Sequence, residues 1–192
     1  MNKIFHKGHQ KSRNRYKTHA NADYWLNALD TSKLNSTMTE FINNCTYLFF
    51  ATASPDGQPN LNYKGGEKGF VYVVNETKLV FIDFQGNGIL HSLGDLEIND
   101  KVSLLIPDFN QNVRLKIIGK ATVIYEDVYV SEYMDHFNAF TFDSLIVVDI
   151  EYVIPNCPSN LHYVKDAILN FDEKDKDSQL LNKFIKGSSN KS

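Results

Sequence analysis

The chain has 192 residues, of which 42% are hydrophobic and 22% are charged, and its formal net charge is −3 at pH 7. This composition excludes an intrinsically disordered chain, which would carry fewer apolar and more charged residues. No stretch approaches the ~20 consecutive apolar residues of a membrane span, and the N-terminus lacks the apolar core of a secretory signal. We therefore expect a soluble, cytoplasmic, globular protein.

The N-terminal arm, residues 1–22, is polar and is expected to be irregular at first. It contains no acidic residue, so the remainder of the chain is distinctly acidic. Such an arm either binds nucleic acid or a membrane surface, or it folds against an acidic surface of its own chain or of a partner. It lacks the interleaved aromatic residues of RNA-binding segments, so we expect the second. Its basic residues are Lys3, Lys7, Lys11, Arg13, Arg15 and Lys17.

Two helical segments follow the arm. Residues 23–34 form a short amphipathic turn or helix. Thr37 and Glu40 match the T-x-x-E spacing of a capping box, which places a helix start at Thr37. Apolar residues then recur at the spacing of one helical face, at Met38, Phe41, Ile42 and Cys45.

The middle of the chain is predicted to be β-structure. Short apolar and alternating runs are separated by turn signals such as Pro55-Asp56-Gly57, and Gly119 is expected to form a bulge or bend. About six short strands at near-regular spacing indicate a small antiparallel barrel, a mainly β architecture with flanking helices. The extended segments are 47–53, 58–64, 70–74, 78–83, 101–107, 113–125 and 144–154.

Helical pieces are also predicted at 88–97, at 126–139 and in the tail from 172 to 192. No repeat or long linker divides the chain. We therefore assign residues 1–35 to an arm and short helix, 36–165 to a barrel domain, and 166–192 to a helical tail.

The common catalytic and metal-binding signatures are absent. The sequence contains no G-x-S-x-G elbow, no phosphate-binding P-loop and no H-E-x-x-H pair. His6 and His9 are the only close histidines, and no cysteine or carboxylate is spaced to complete a metal site with them. Cys45 and Cys157 do not form a C-x-x-C pair, so we expect two buried thiols in a reducing compartment, with Cys45 in the core rather than acting as a nucleophile.

Two glycine-bearing segments could bind an anion. In the first, Asn62-Tyr63-Lys64-Gly65-Gly66, a lysine at a strand end precedes open backbone N–H groups. In the second, Asp83 ends a strand and a turn containing Asn87 and Gly88 leads into a helix that carries Ser92 and Leu93. Each segment taken alone is more simply an ordinary turn. Arg114, at the start of a long strand, could add a guanidinium to the same anion or could be a solvated strand end.

Taken together, these segments resemble the pyridoxamine-phosphate-oxidase-related FMN-binding split barrels from residue 38 to about 165. The resemblance lies in their order and spacing, and it extends to an N-C-P-x-x-x-H stretch at 156–162. The matching runs are Phe50-Ala51-Thr52-Ala53, Asp56-Gly57-Gln58-Pro59, Tyr63-Lys64-Gly65-Gly66, Phe81-Ile82-Asp83, Gly86-Asn87-Gly88, Ser92-Leu93-Gly94 and Arg114-Leu115 with Gly119.

The resemblance implies a six-stranded antiparallel split barrel that forms a homodimer, with FMN in clefts at the dimer interface. The arginine-rich C-terminal substrate motif of the oxidase proper is not visible, so its substrate is not carried over. The cofactor-binding residues that the resemblance and the two segments together indicate are Asn62, Tyr63, Lys64, Gly65, Asp83, Asn87, Gly88, Ser92, Leu93, Arg114 and His162.

Four functions are consistent with this sequence. The first is an FMN-dependent oxidoreductase that takes hydride from a nicotinamide nucleotide or a small-molecule substrate. The second is a flavin-binding or stress protein without turnover. The third is a haem-binding split barrel with His162 or His91 as the axial ligand. The fourth is nucleic-acid binding through the arm, with the membrane excluded as a partner.

Overall fold

The computed structural model describes residues 5–28, 32–84, 86–125 and 131–156. Within these ranges no helix combines the length and the apolar character needed to cross a bilayer. The predicted tail helix, Cys157 and His162 lie outside the described residues.

Seven strands of the described chain form one antiparallel sheet in the order β2-β1-β5-β6-β7-β4-β3. The resemblance implied six strands, whereas each of the seven extended segments of the sequence forms a strand. The strands are β1 (Tyr47–Ala53), β2 (Pro59–Gly65), β3 (Val71–Asn75), β4 (Lys78–Asp83), β5 (Lys101–Asp108), β6 (Val113–Tyr125) and β7 (Ser144–Asn156).

The core lies inside the curved sheet because side chains alternate between its two faces. In β1, Leu48 and Phe50 are fully buried, while the intervening Phe49 remains partly exposed. The Phe50 ring meets the edge of Phe81, which lies in β4, with ring centroids 5.3 Å apart. This contact packs one half of the sheet against the other, so the sheet encloses its own apolar interior.

Five helices flank the sheet in the described residues: α1 (Lys7–Tyr16), α2 (His19–Ala28), α3 (Ser36–Asn43), α4 (His91–Leu96) and α5 (Ser131–Phe137). Helix α3 packs against the edge strand β3, where the Asn43 side chain accepts a hydrogen bond from the Val73 backbone at 2.9 Å. Helix α4 packs against β1, β2 and β6. Helix α4 therefore covers the end of the sheet formed by β1 and β2.

The start of α3 differs from the prediction. The N-cap is Asn35, whose side chain accepts a hydrogen bond from the backbone N–H of Met38 at 2.9 Å, so the proposed Thr37–Glu40 capping box is wrong. Asparagine is as good an N-cap as threonine. Because the Asn35 side chain satisfies a free N–H at this end, the helix begins one residue before Thr37.

The arm, expected to be irregular at first, is helical from Lys7, where α1 starts, through most of its described length. His6 accepts a hydrogen bond from the Gly8 backbone at 3.1 Å, and the His9 side chain accepts one from the His6 backbone at 3.1 Å. Histidine rarely serves as a cap, so the pattern gave no signal. Helix α1 buries no side chain. The arm is thus not packed into the barrel within the described chain.

The predicted irregularity at Gly119 is confirmed. The register between β6 and β7 shifts between Ile118 and Gly119, as in a β-bulge. A Cβ atom at position 119 would lie 2.1 Å from the carbonyl oxygen of Asp149. Only glycine therefore allows the two longest strands to approach each other here.

We expect Gly119→Ala to destabilise the fold by ~3 kcal/mol or more, because the added methyl group forces the strand backbones apart. Chemical denaturation would measure the free energy of unfolding. Gly94→Ala is the matched control, because a Cβ atom there meets nothing within 4 Å. Alanine in that helix should be neutral or stabilising by ~0.5–1 kcal/mol. Equal stabilities of the two variants would contradict this account of the bulge.

Candidate functional site

A cleft of about 490 Å³ lies between the end of β2, the end of β4 and the segment leading into α4. Its volume is within the range of small-molecule sites. The cleft brings together nine of the eleven cofactor-binding residues indicated by the sequence: Asn62, Tyr63, Lys64, Gly65, Asp83, Asn87, Gly88, Ser92 and Leu93.

The inner face of β2 supplies the polar wall of this cleft. Asn60, Asn62 and Lys64 alternate along the strand and are paired with Thr52, Phe50 and Leu48 of β1. Directly paired residues point to the same side of a sheet. The β2 side chains therefore face inward, like the apolar core residues, but they end in amide and ammonium groups.

The loop between β4 and α4 forms the opposite wall. Gly88 and Leu90 adopt left-handed backbone conformations, with φ of 78° and 54°. The Asn87 side-chain oxygen accepts a hydrogen bond from the Ile89 backbone at 3.1 Å, which stabilises the turn. Asn87 can therefore offer a ligand its amide N–H₂ but not this oxygen.

The principal charges of the cleft form an ion pair. The Lys64 ammonium donates to the carboxylate of Asp83, and the two side chains are 18% and 6% exposed. Lysine carries an anion-binding charge, whereas aspartate repels an anion. An anion entering the cleft must therefore share Lys64 with Asp83 or displace it.

A buried hydrogen-bond network lies behind this pair. Asn62 donates from Nδ2 to the Ser92 hydroxyl oxygen at 2.6 Å, and Ser92 is only 3% exposed. Asn60, Thr52 and Asp95 continue the network into the interior. We did not identify these three residues from the sequence, although the alternation of β2 and the i, i+3 spacing of Ser92 and Asp95 are signals for two of them.

Arg114 does not reach this cleft within one chain. It lies on the same face of β6 as Lys116, which is the outer face of the sheet, and it lines a separate groove of about 730 Å³. Its Nε atom is buried and has no hydrogen-bond partner among the described residues. Within one chain, strand alternation therefore places Arg114 and Lys64 on opposite faces of the sheet.

The remaining candidates differ in their surroundings. Cys45 is partly buried at the rim of the outer groove, and burial raises its thiol pKa to about 12. A protonated thiol is a poor nucleophile, consistent with a packing role. His91 lines the cleft and is exposed. The described residues contain no group of three or more histidine, cysteine, aspartate or glutamate side chains arranged to hold a metal ion.

The curved antiparallel sheet and its polar end cleft define a split-barrel protein. The sequence matches the family described as pyridoxamine 5'-phosphate oxidase over residues 34–155, which is more than half of the chain. The chain belongs to that family. A comparison with curated proteins finds no match.

Solved structures share this fold. A Lactobacillus delbrueckii protein named as a candidate pyridoxamine 5'-phosphate oxidase aligns with a TM-score of 0.51 and 20% identity, covering 66% of this chain and 97% of its own. HupZ from Group A Streptococcus gives a TM-score of 0.51 and 17% identity, covering 64% and 93%. An FMN-binding protein from Syntrophomonas wolfei gives a TM-score of 0.49 and 11% identity, covering 73% and 97%.

We expect Asp83→Asn to strengthen anion binding by about tenfold, because Lys64 would no longer be neutralised by a neighbouring carboxylate; this corresponds to ~1.4 kcal/mol. Inorganic phosphate is a suitable probe, with binding measured by the rise in melting temperature as phosphate is added. Asp149→Asn is the control, because Asp149 pairs with Lys78 outside the cleft. Weaker phosphate binding by Asp83→Asn would contradict this account and would show that Asp83 holds Lys64 in its binding position.

Proposed function

We propose that this protein binds FMN with the phosphate in the cleft beside Lys64 and Ser92, and that it acts as an FMN-dependent oxidoreductase. The observation that carries the proposal is the convergence, in one cleft, of a lysine with amide and hydroxyl donors from β2 and α4. Membership of the pyridoxamine 5'-phosphate oxidase family supports it.

The residues present suit a phosphate group. A phosphate offers only acceptor oxygens, and the cleft offers the Lys64 ammonium and the Asn87 amide N–H₂. The Ser92 oxygen already accepts hydrogen bonds from Asn62 and Asn60, so its proton remains to be donated. Because only Lys64 brings a strong positive charge, much of the binding energy would come from neutral donors.

Flavin chemistry also suits the scarcity of acid–base groups. Bound FMN supplies hydride transfer itself, and the protein has to bind it, orient it and exclude competing reactions. Lys64 and Ser92 would fix the phosphate end. The Tyr63 ring lies so close to Gly65 that a Cβ atom there would be 2.6 Å from the Tyr63 hydroxyl. The Tyr63 ring thus lies against the backbone at 65, and a small-molecule substrate or a nicotinamide nucleotide would be the hydride donor.

Lys64→Ala combined with Ser92→Ala should weaken FMN binding by ~2–5 kcal/mol, because each change removes a hydrogen bond to a charged group. Titration of FMN fluorescence measures the affinity. Lys120→Ala with Ser12→Ala, at surface positions outside the cleft, is the matched control. Unchanged affinity in the cleft variant would show that the phosphate binds elsewhere. Bound flavin that no reduced nicotinamide or substrate can reduce would instead indicate a flavin-binding protein without turnover.

We further propose that the active form is a homodimer packed through the outer face of the sheet. Leu61 and Tyr63 on β2 are 66% and 64% exposed. The register continues this apolar surface across β1, β5, β6 and β7 to Ile118 and Tyr152. This surface is partly exposed and largely apolar, interrupted by Ser103 and Lys116, and an apolar surface of this extent is typical of an interface.

The position of Arg114 favours a second copy of this chain on that face. Stacked rings of Tyr63, Tyr47 and Phe109 connect the cleft to the outer groove that contains Arg114. The cleft has a neutralised lysine, and the groove has a guanidinium whose buried Nε has no partner among the described residues. Because the face is self-complementary in a two-fold dimer, each groove would add its arginine to the cleft of the other subunit.

A mixing experiment tests whether Arg114 acts in the neighbouring cleft. Neither Lys64→Ala/Ser92→Ala nor Arg114→Ala should bind FMN at the wild-type level. Co-refolding the two variants creates heterodimers with one intact cleft, so about half of the heterodimer sites should regain wild-type affinity. If Arg114 acted within its own chain, the mixture would regain none. A wild-type protein with the mass of a single 22.0 kDa chain would also contradict the dimer.

A further inference from the structure

A chain of buried hydrogen bonds begins at Asp95 and ends at the cleft. Asp95 and Thr52 are 6% and 3% exposed, and the Thr52 hydroxyl donates to the Asp95 carboxylate at 2.5 Å. Asn60 donates to the Thr52 oxygen at 3.0 Å and to Asp95 at 3.3 Å. These contacts join α4 to β1 and β2 behind the cleft wall.

The carboxylate sets the direction of every bond in this chain. A carboxylate accepts hydrogen bonds and donates none, so Thr52 must donate its single proton to Asp95. The Thr52 oxygen is then available only as an acceptor, which turns the N–H₂ group of Asn60 toward it. The Asn60 oxygen consequently faces Asn62, whose Nδ2 lies 3.4 Å away.

The chain of hydrogen bonds continues from Asn60 and Asn62 to Ser92 at the cleft surface. Asn62 turns its N–H₂ group to the Ser92 oxygen at 2.6 Å, and Asn60 approaches the same oxygen at 3.4 Å. Both contacts use Ser92 as an acceptor. In the described part of the chain, no acceptor takes the Ser92 proton, and Ser92 lines the cleft.

We propose that Asp95 is a positioning residue that makes the Ser92 hydroxyl a committed proton donor toward the phosphate of the bound ligand. Asp95 does not touch the ligand and acts through Thr52, Asn60 and Asn62. The inference rests on the proposed binding of FMN phosphate in this cleft. It adds that Asp95 is the residue that makes the site favour a ligand with hydrogen-bond acceptor oxygens.

Removing the carboxylate should reverse part of the chain. In Asp95→Leu, Thr52 has no carboxylate to receive its proton and can donate to a rotated Asn60 amide. Asn62 and Ser92 can then also exchange donor and acceptor roles. Asp95→Asn keeps an oxygen at this position and should preserve the original direction.

The test compares FMN with riboflavin, which has the same ring and side chain but no phosphate, by fluorescence titration of the full chain. We expect Asp95→Leu to weaken FMN binding by about tenfold, the effect of losing one hydrogen bond to a charged group. The affinity of Asp95→Leu for riboflavin should stay within about twofold of the wild-type value. Asp95→Asn should restore most of the FMN affinity, and Asp100→Asn, which alters a surface pair with Lys120, is the control.

A double-mutant cycle separates positioning from general support of the fold. In the Ser92→Ala background, Asp95→Leu should have no further effect on FMN affinity. Equal loss of FMN and riboflavin binding, or additive effects of the two substitutions, would overturn the inference while leaving the proposed function intact. A wild-type chain that binds neither flavin would instead refute the proposed function, and the inference with it.

Discussion

The pairing of β1 with β2 determines where the polar groups of the cleft lie. Its register sets Asn60, Asn62 and Lys64 of β2 opposite buried or core-facing residues of β1. A slip of one residue would turn Leu61 and Tyr63 inward and expose the polar row instead. The register is held because the inner face of β1 is fully buried, so its apolar residues have one favourable orientation. Core packing thus fixes the position of the ligand donors.

The cleft combines this rigid wall with a balanced set of charges. A cation and a carboxylate that neutralise each other can remain largely shielded from solvent, where either alone would be costly. Ser92 and Asn62, which are neutral, need no such compensation, and the bond from Asn62 to the Ser92 oxygen leaves the Ser92 proton for a ligand. The resulting set of donors suits a ligand rich in acceptor oxygens.

The sequence predicted the elements that depend on local patterns. Residues 47–53 and 113–125 are strands with the predicted bounds. The bulge at Gly119 was predictable because Gly119 is the one glycine in the long segment 113–125. Helix starts were predicted less well. Either Asn35 or Thr37 can cap a helix, and the local sequence does not choose between them. The histidine cap of α1 follows no common rule.

The site was predicted in part for the same reason. Lys64, Asn87 and Ser92 stand beside glycine-bearing turns, which are visible in one sequence. Arg114 stands at the start of β6, and its position on the outer face follows only from the alternation of the whole strand. Thr52 and Asp95 are 43 residues apart and meet only after β1 and α4 pack together. No local pattern encodes a long-range hydrogen bond of this kind.

The absorption spectrum of the purified protein tests the central claim most directly. Purified from cells and desalted, the protein should show the two-banded visible absorption of bound oxidised flavin, and the released chromophore should be FMN. A colourless protein that also fails to retain added FMN would contradict the account. A Soret band that appears without flavin absorption would contradict it as well, because it would identify haem as the bound cofactor.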